Sequence, residues 1–183
     1  MKFSLRTILF SALIFFLTTS VQAQPGIGFK GIGGKLGLVS PSAISSTIGF
    51  GVFADLGTIA PNIQLEANID YWSKSTTSIS SFRDIAFGGI ARYMFDVNNP
   101  ALKPFAEGGL SLHFLKSDTD EIDFFGQTAN FSASTTKLGF DLGGGLLYQI
   151  SPQLDLLAEL KYRLVSTVNQ LTLNAGVVFR LGS

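Results

Sequence analysis

The chain has 183 residues, of which 46% are hydrophobic and only 14% charged, and its thirteen basic and thirteen acidic residues cancel. Mean hydropathy is +0.36, yet beyond the N-terminus no apolar run approaches the roughly 18 residues of a membrane helix, which excludes a helical membrane protein. High apolar content at zero net charge excludes a disordered chain, the lack of a basic excess argues against a nucleic-acid partner, and the absence of cysteine excludes disulfides, thiol chemistry and Cys-ligated metals.

In chain order, the first element is an export address. Lys2 and Arg6 precede a ten-residue apolar core, Ile8 to Leu17, too short to span a bilayer. Val21-Gln22-Ala23 supplies the small residues that a signal peptidase reads, so residues 1–23 are expected to be cleaved before Gln24, leaving 24–183 as one domain. A first strand, from about Ile27 to Val39, is rich in glycine, and its two faces differ so little that its register stays open. The second alternates through Ile48, Phe50, Val52, Ala54 and Leu56. The third sets Ile63, Leu65, Ala67, Ile69 and Tyr71 against Gln64, Glu66, Asn68 and Asp70. The fourth carries Ile85, Phe87, Ala91, Tyr93 and Phe95. The fifth, about Lys103 to Leu115, carries Ala106, Leu110, Leu112 and Phe114. The sixth carries Leu138, Phe140, Leu142, Leu146, Tyr148 and Ile150. The seventh runs from Leu154 to Leu164 and the eighth from Leu171 to Leu181. A period of two means strands with each face in a different environment.

The connections alternate in kind. Gly57–Asn62, Asp96–Lys103 and Ile150–Gln153 are short and hold Pro61, Pro100 and Pro152. Ser73–Ser81 and Lys116–Thr136 are longer and rich in Ser, Thr and Asp, and are expected as long loops. Short turns at one rim and long loops at the other predict an all-β fold, an eight-stranded antiparallel up-and-down transmembrane β-barrel.

Three features turn the apolar face outward. The polar face of strands two to eight holds Gly49, Gly51, Gly57, Gly88, Gly109, Gly139, Gly143, Gly145 and Gly176, against Gly89, Gly108 and Gly144 on the other. A cramped interior explains this; on a solvent face glycine would only weaken strands. Tyr71, Phe114 and Tyr162 fall near the long-loop ends, and Tyr93, Phe95, Tyr148 and Phe179 near the short-turn ends, as two interfacial belts do. Bulky residues on every strand but the first would also overfill an eight-stranded interior.

The inner face then holds Asp55, Glu66, Asp70, Asp84, Glu107, Asp141, Asp155 and Glu159 against Arg92, Lys137, Lys161, Arg163 and Arg180, with Lys35 dependent on the open register. Buried charges must pair. Folding the hairpins predicts Arg92 opposite Glu107, Asp155 opposite Arg180 and Asp141 opposite Arg163. Asp70 and Asp84 are expected opposite each other near the loop rim, bridged by a shared basic neighbour, by water or, as the sharper alternative, by a cation.

The last strand, Asn174-Ala-Gly176-Val-Val-Phe179-Arg-Leu181, is similar to the C-terminal assembly signal of outer-membrane proteins, although Leu181 stands where an aromatic is common and Gly182-Ser183 follow. With the export signal and the turn Tyr148-Gln-Ile-Ser-Pro-Gln-Leu-Asp-Leu156, the chain resembles the small porin-like outer-membrane barrels of the OmpA/OmpX type. The resemblance implies the outer membrane of a Gram-negative-type bacterium, contact with outer-membrane lipid and with the assembly machinery, a monomer, and no cofactor. The chain ends at strand eight, so the periplasmic domain of full OmpA-like proteins is expected to be absent.

Other constellations are weaker. Gly26-Ile-Gly28-Phe-Lys-Gly31 matches a dinucleotide fingerprint but lacks the strand–helix context which that chemistry needs. His113, the single histidine, shares an inner face with Ser111, and an acid from Glu107 or Asp70 would complete a lipid-modifying set; no oxyanion site is visible. One histidine without cysteine argues against a metal site. Asp118, Asp120, Glu121 and Asp123 lack the glycine and terminal glutamate of an EF-hand loop, which favours a solvated acidic loop over a Ca²⁺ site. Phe124, Phe125 and Phe131 beside them suggest strands extended beyond the membrane or a contact surface. The expected role is therefore a non-enzymatic barrel with a structural or surface-interaction task through the segment 116–136. The alternatives are a narrow channel and a lipid-modifying enzyme using His113.

Overall fold

The computed structural model describes residues 26–42, 44–77, 80–124, 127–166 and 168–181. The export signal lies outside them. Eight strands follow one another: β1 (Ile27–Pro41), β2 (Thr47–Ala60), β3 (Ile63–Thr77), β4 (Ser80–Met94), β5 (Leu102–Phe124), β6 (Gln127–Ser151), β7 (Leu154–Val165) and β8 (Gln170–Arg180). Each pairs antiparallel with the next, and β1 closes the ring on β8. Closure removes every sheet edge within the barrel wall, so each backbone polar group has a partner inside the bilayer.

The register of β1 is settled by its two neighbours. Lys35 lies opposite Gly51 on β2 and Gly176 on β8, which points it into the lumen, while Ile32, Leu36 and Leu38 face out. The segment Gly26–Gly31 opens this strand with a register shift, and no helix appears among the described residues. The accessibility pattern inverts that of a soluble domain. Leu36, Ile48 and Leu138 are 62, 70 and 62% exposed, whereas His113, Asp155 and Lys161 are fully buried. Such a surface is stable only against hydrocarbon.

The glycines on the inner face make room. A Cβ on Gly33 would strike the Phe53 ring, and one on Gly145 would come within 2.6 Å of the Phe105 ring. Outward Gly89 meets nothing within 4 Å. The aromatics form contacts at both rims: Phe50 with Tyr71 at 5.1 Å, Phe87 with Phe114 at 5.7 Å and Tyr93 with Phe95 at 5.1 Å. Phe87 stands one outward step further into the band than the expected upper belt.

At the short-turn rim, Pro61-Asn62 and Pro152-Gln153 are two-residue connections, and Asn62 takes φ 63°, a left-handed conformation that Asn tolerates. In the β4–β5 connection the Asn99 side chain accepts from the Ala101 N–H at 3.0 Å. The opposite rim departs from expectation. Ser73–Ser81 is mostly strand, with Ser75 paired to Ser81. Lys116–Thr136 is a hairpin in which β5 and β6 stay paired as far as Phe124 and Gln127, past a register shift between Thr119 and Ile122. The reason is environmental. Outside the membrane both faces of a strand meet water, so no apolar period marks it, yet the backbone ladder persists.

The two flanks of this hairpin end at different heights. The β4–β5 ladder reaches Ser80↔Thr119, but the β6–β7 ladder stops at Gly139↔Val165. The outer part of β6, residues 127–138, therefore has β5 on one side and no adjoining strand among the described residues on the other.

The lumen as candidate functional site

The inward side chains stack in layers. At the short-turn mouth Arg180 donates from Nε to Asp155 at 2.6 Å, and the Gln64 amide donates to Asp55, which also accepts from the Gly57 N–H at 2.8 Å. Arg180 lines a recess there with Gln64, Met94, Asp96 and Lys103. Above it lies an apolar layer of Phe53, Phe105, Leu147, Leu157 and Val178, with Met94 packed against it. Each of these residues breaks the polar parity of its strand. The breaks look like noise along the chain and become one layer only once the register brings them together.

Arg92 sits on that layer, its guanidinium 4.6 Å above the Phe105 ring and 5.4 Å from the Phe53 ring. Its three nitrogens reach three strands: Nη1 to Glu66 at 2.5 Å, Nε to Glu107 at 2.9 Å and Nη2 to Glu159 at 3.0 Å. Lys35 lies 3.2 Å from Glu159 and 3.4 Å from Asp70. Lys161 lies 3.2 Å from Glu107 and 3.4 Å from Glu159. Next, Arg163 bonds Asp70 and stands 3.5 Å from Asp141, its register partner. All of these groups are buried. Such a network holds only because each ion has opposite charges beside it.

The uppermost polar layer centres on Asp84. Its Oδ2 accepts from Trp72 Nε1 at 3.2 Å and Gln170 Nε2 at 2.8 Å, and lies 2.8 Å from His113 Nδ1. His113 Nε2 lies 3.0 Å from Ser111 Oγ. Val39, Leu115, Val165 and Val168, all buried, lie toward the loop rim.

Asp70 and Asp84 do not face each other. Asp84 is opposite Trp72, and Asp70 opposite Ala86. Asp70 belongs to Arg163 and Lys35, Asp84 to His113. A two-residue offset in the β3–β4 register separates them by one inward step, and their ion-pair partners differ. Among the described residues no group of three or more metal-ligating side chains assembles. The Asp155–Arg180 pair forms although Asp155 is opposite Val178, because Arg180 reaches across one inward step.

Ser111, His113 and Asp84 align as a serine hydrolase triad does, with Asp84 in place of the expected Glu107 or Asp70. The β4–β5 register, Ala86↔His113, brings Asp84 within reach, while Glu107 lies six residues along β5 against Arg92. The Ser111 hydroxyl donates to Asp141 Oδ1 at 2.9 Å, which commits its proton away from the imidazole. All three side chains are sealed inside the wall, whereas nucleophilic catalysis needs an approach for substrate and an oxyanion site.

Gln170 joins the network without having been singled out by sequence, its signal being inward parity alone, and Trp72 and the C-terminal motif residue Asn174 join it too. Asn174 donates to Glu159 at 2.9 Å and Gly176 packs against Lys35, so these two positions of the C-terminal motif serve the lumen. Phe179 and Leu181 face outward, and the Leu181 N–H donates to Lys30 O at 2.8 Å.

A closed, outwardly apolar ring of eight strands around a charged and filled lumen defines a transmembrane β-barrel. The chain belongs to the outer membrane protein beta-barrel domain family, whose model matches residues 9–180. Its fold is similar to that of Neisserial surface protein A, at 23% identity and a TM-score of 0.61, over 86% of this chain and 100% of that one. It is also similar to the Yersinia pestis attachment invasion locus protein Ail, at 16% identity and a TM-score of 0.57, over 86% and 100%. The N-terminal barrel domain of Pseudomonas aeruginosa OprF matches at 13% identity and a TM-score of 0.58, over 85% and 99%. No curated protein sequence matches the chain.

Proposed function

We propose that the protein is a non-enzymatic outer-membrane barrel that presents the β5–β6 hairpin as a surface for contact with partners outside the cell. The observation that carries this reading is the hairpin itself, with an outer β6 edge, residues 127–138, that no neighbouring strand covers among the described residues. An open edge offers backbone donors and acceptors to an incoming strand. Of the edge residues 127–138 only Lys137 is charged and none is proline, so the devices that usually blunt such an edge are nearly absent from it.

The filled lumen supports a scaffold rather than a conduit. A space beside Asp70, Trp72 and Arg163 measures only about 10 Å³, roughly enough for one water. Export is read with cleavage before Gln24, and Asn174, Gly176, Phe179 and Leu181 as the motif offered to the assembly machinery. The chain has no cysteine, so a Ser134→Cys variant carries a single thiol. Labelling of that thiol by an impermeant maleimide on intact cells is the expected result. A thiol that reacts only after lysis would overturn the surface role.

A further inference from the structure

At the short-turn rim the lumen opens into a recess of about 450 Å³, a size that encloses a small-molecule ligand. Met94 lines it and packs on the apolar layer that separates it from the Arg92 network. Three charged residues line it: Asp96, Lys103 and Arg180.

Two of them are a pair held apart. The β4–β5 ladder ends at Met94↔Phe105, and the Phe95 N–H donates to Pro104 O at 2.9 Å. One residue further, the same register sets Asp96 against Lys103, and opposite charges so placed attract. They do not meet. Asp96 Oδ2 accepts from the Asn62 amide at 2.9 Å, on the β2–β3 turn, which leaves Oδ1 open. Lys103 makes no ion pair or hydrogen bond with any described residue. The charges that act on it are those of Arg180 and Asp155, Arg180 the more strongly. Asp155 Oδ2 takes both Nε and Nη2 of Arg180 and leaves Nη1. Asp55, a further acid at this mouth, is held by Gln64 and the Gly57 N–H. One side of the recess therefore presents two cations, and another an acid with an unused oxygen.

A ligand that answers both carries a carboxylate and an ammonium. The carboxylate accepts from Lys103 Nζ and Arg180 Nη1, and the ammonium donates to Asp96 Oδ1, all charge-assisted bonds. Met94, Val97, Pro100 and Leu102 also line the recess and suit aliphatic side chains. A free amino acid leaves much of the volume empty, whereas a peptide of a few residues fills it.

We propose that this recess binds a short zwitterionic peptide with aliphatic side chains, its C-terminal carboxylate on Lys103 and Arg180 and its N-terminal ammonium on Asp96.

The test is calorimetric titration of leucyl-leucine into the full barrel folded in phosphatidylcholine nanodiscs, where both mouths are accessible. The expected result is one site per barrel. N-acetylation or C-terminal amidation of the peptide should each weaken binding about tenfold or more, as should K103Q and D96N. K30Q, on the outer face, should bind as wild type does. Heat-modifiable gel migration checks that each variant is folded, and the blocked peptides decide the matter without any variant. No binding to the wild type would overturn the proposal. Equal binding of the blocked peptides would mean that the apolar lining alone takes them, and loss on amidation alone would mean a site for anions; either overturns it. Leucine binding as tightly as leucyl-leucine would overturn the peptide in favour of a free amino acid.

Discussion

Arg92 shows how far one inward side chain reaches. It issues from β4 and engages carboxylates on β3, β5 and β7 while its planar face rests on two rings. Arg92→Met leaves Glu66, Glu107 and Glu159 without their shared cation. Uncovering buried charge in this way costs about 3–5 kcal/mol, so the urea midpoint of the vesicle-folded barrel should drop strongly. Arg92→Lys keeps the charge but cannot span three partners, and should fall between the two. His113→Ala tests the triad geometry from the other direction. With the Ser111 proton held by Asp141, the variant should leave the lipid A profile of expressing cells unchanged while lowering barrel stability. A changed profile would restore the enzymatic reading. Parity along each strand was enough to assign these residues to one face. It was not enough to assign partners, because a contact such as His113–Asp84 depends on the stagger between neighbouring strands, and stagger leaves no trace in a single strand's pattern.

Elements behaved according to the medium around them. Inside the bilayer each strand faces lipid on one side and lumen on the other, so its alternation is written into the sequence from Ile63 to Tyr71 or from Leu154 to Leu164. The outer hairpin lacks that alternation, which is why 116–136 reads as a loop while its backbone stays paired. The same reasoning predicts independence. Replacing Asp118–Ser132 by a tight turn removes segments that contribute nothing to the membrane-embedded wall, so the heat-modifiable form and the thermal midpoint should persist. Surface contacts of expressing cells should be lost. A truncated barrel that no longer folds would show that the hairpin nucleates assembly rather than decorating it. At the glycine-rich β1, by contrast, neither face announces itself, and only its two neighbours place Lys35 inside.

At the scale of the whole molecule, the apolar layer and the ion layer close the lumen by different physics, one by exclusion of water and one by charge balance. Planar bilayers containing the purified barrel should show no stable unitary conductance. A Phe53→Ala/Phe105→Ala variant removes two rings from the apolar layer, yet the Arg92 network above should still block ions. Steady openings in the wild type would defeat the filled-lumen view. The seam between β1 and β8 has a further consequence. Lys35, on the closing strand, binds Glu159 on β7 and Asp70 on β3. Parting the seam therefore pulls Lys35 away from Glu159, which lies across it on β7, as well as exposing backbone groups along the gap. A barrel latched from within in this way has no favourable half-open form, so it should persist or come apart as a unit, with its lifetime in the envelope governed by one high barrier rather than by gradual fraying.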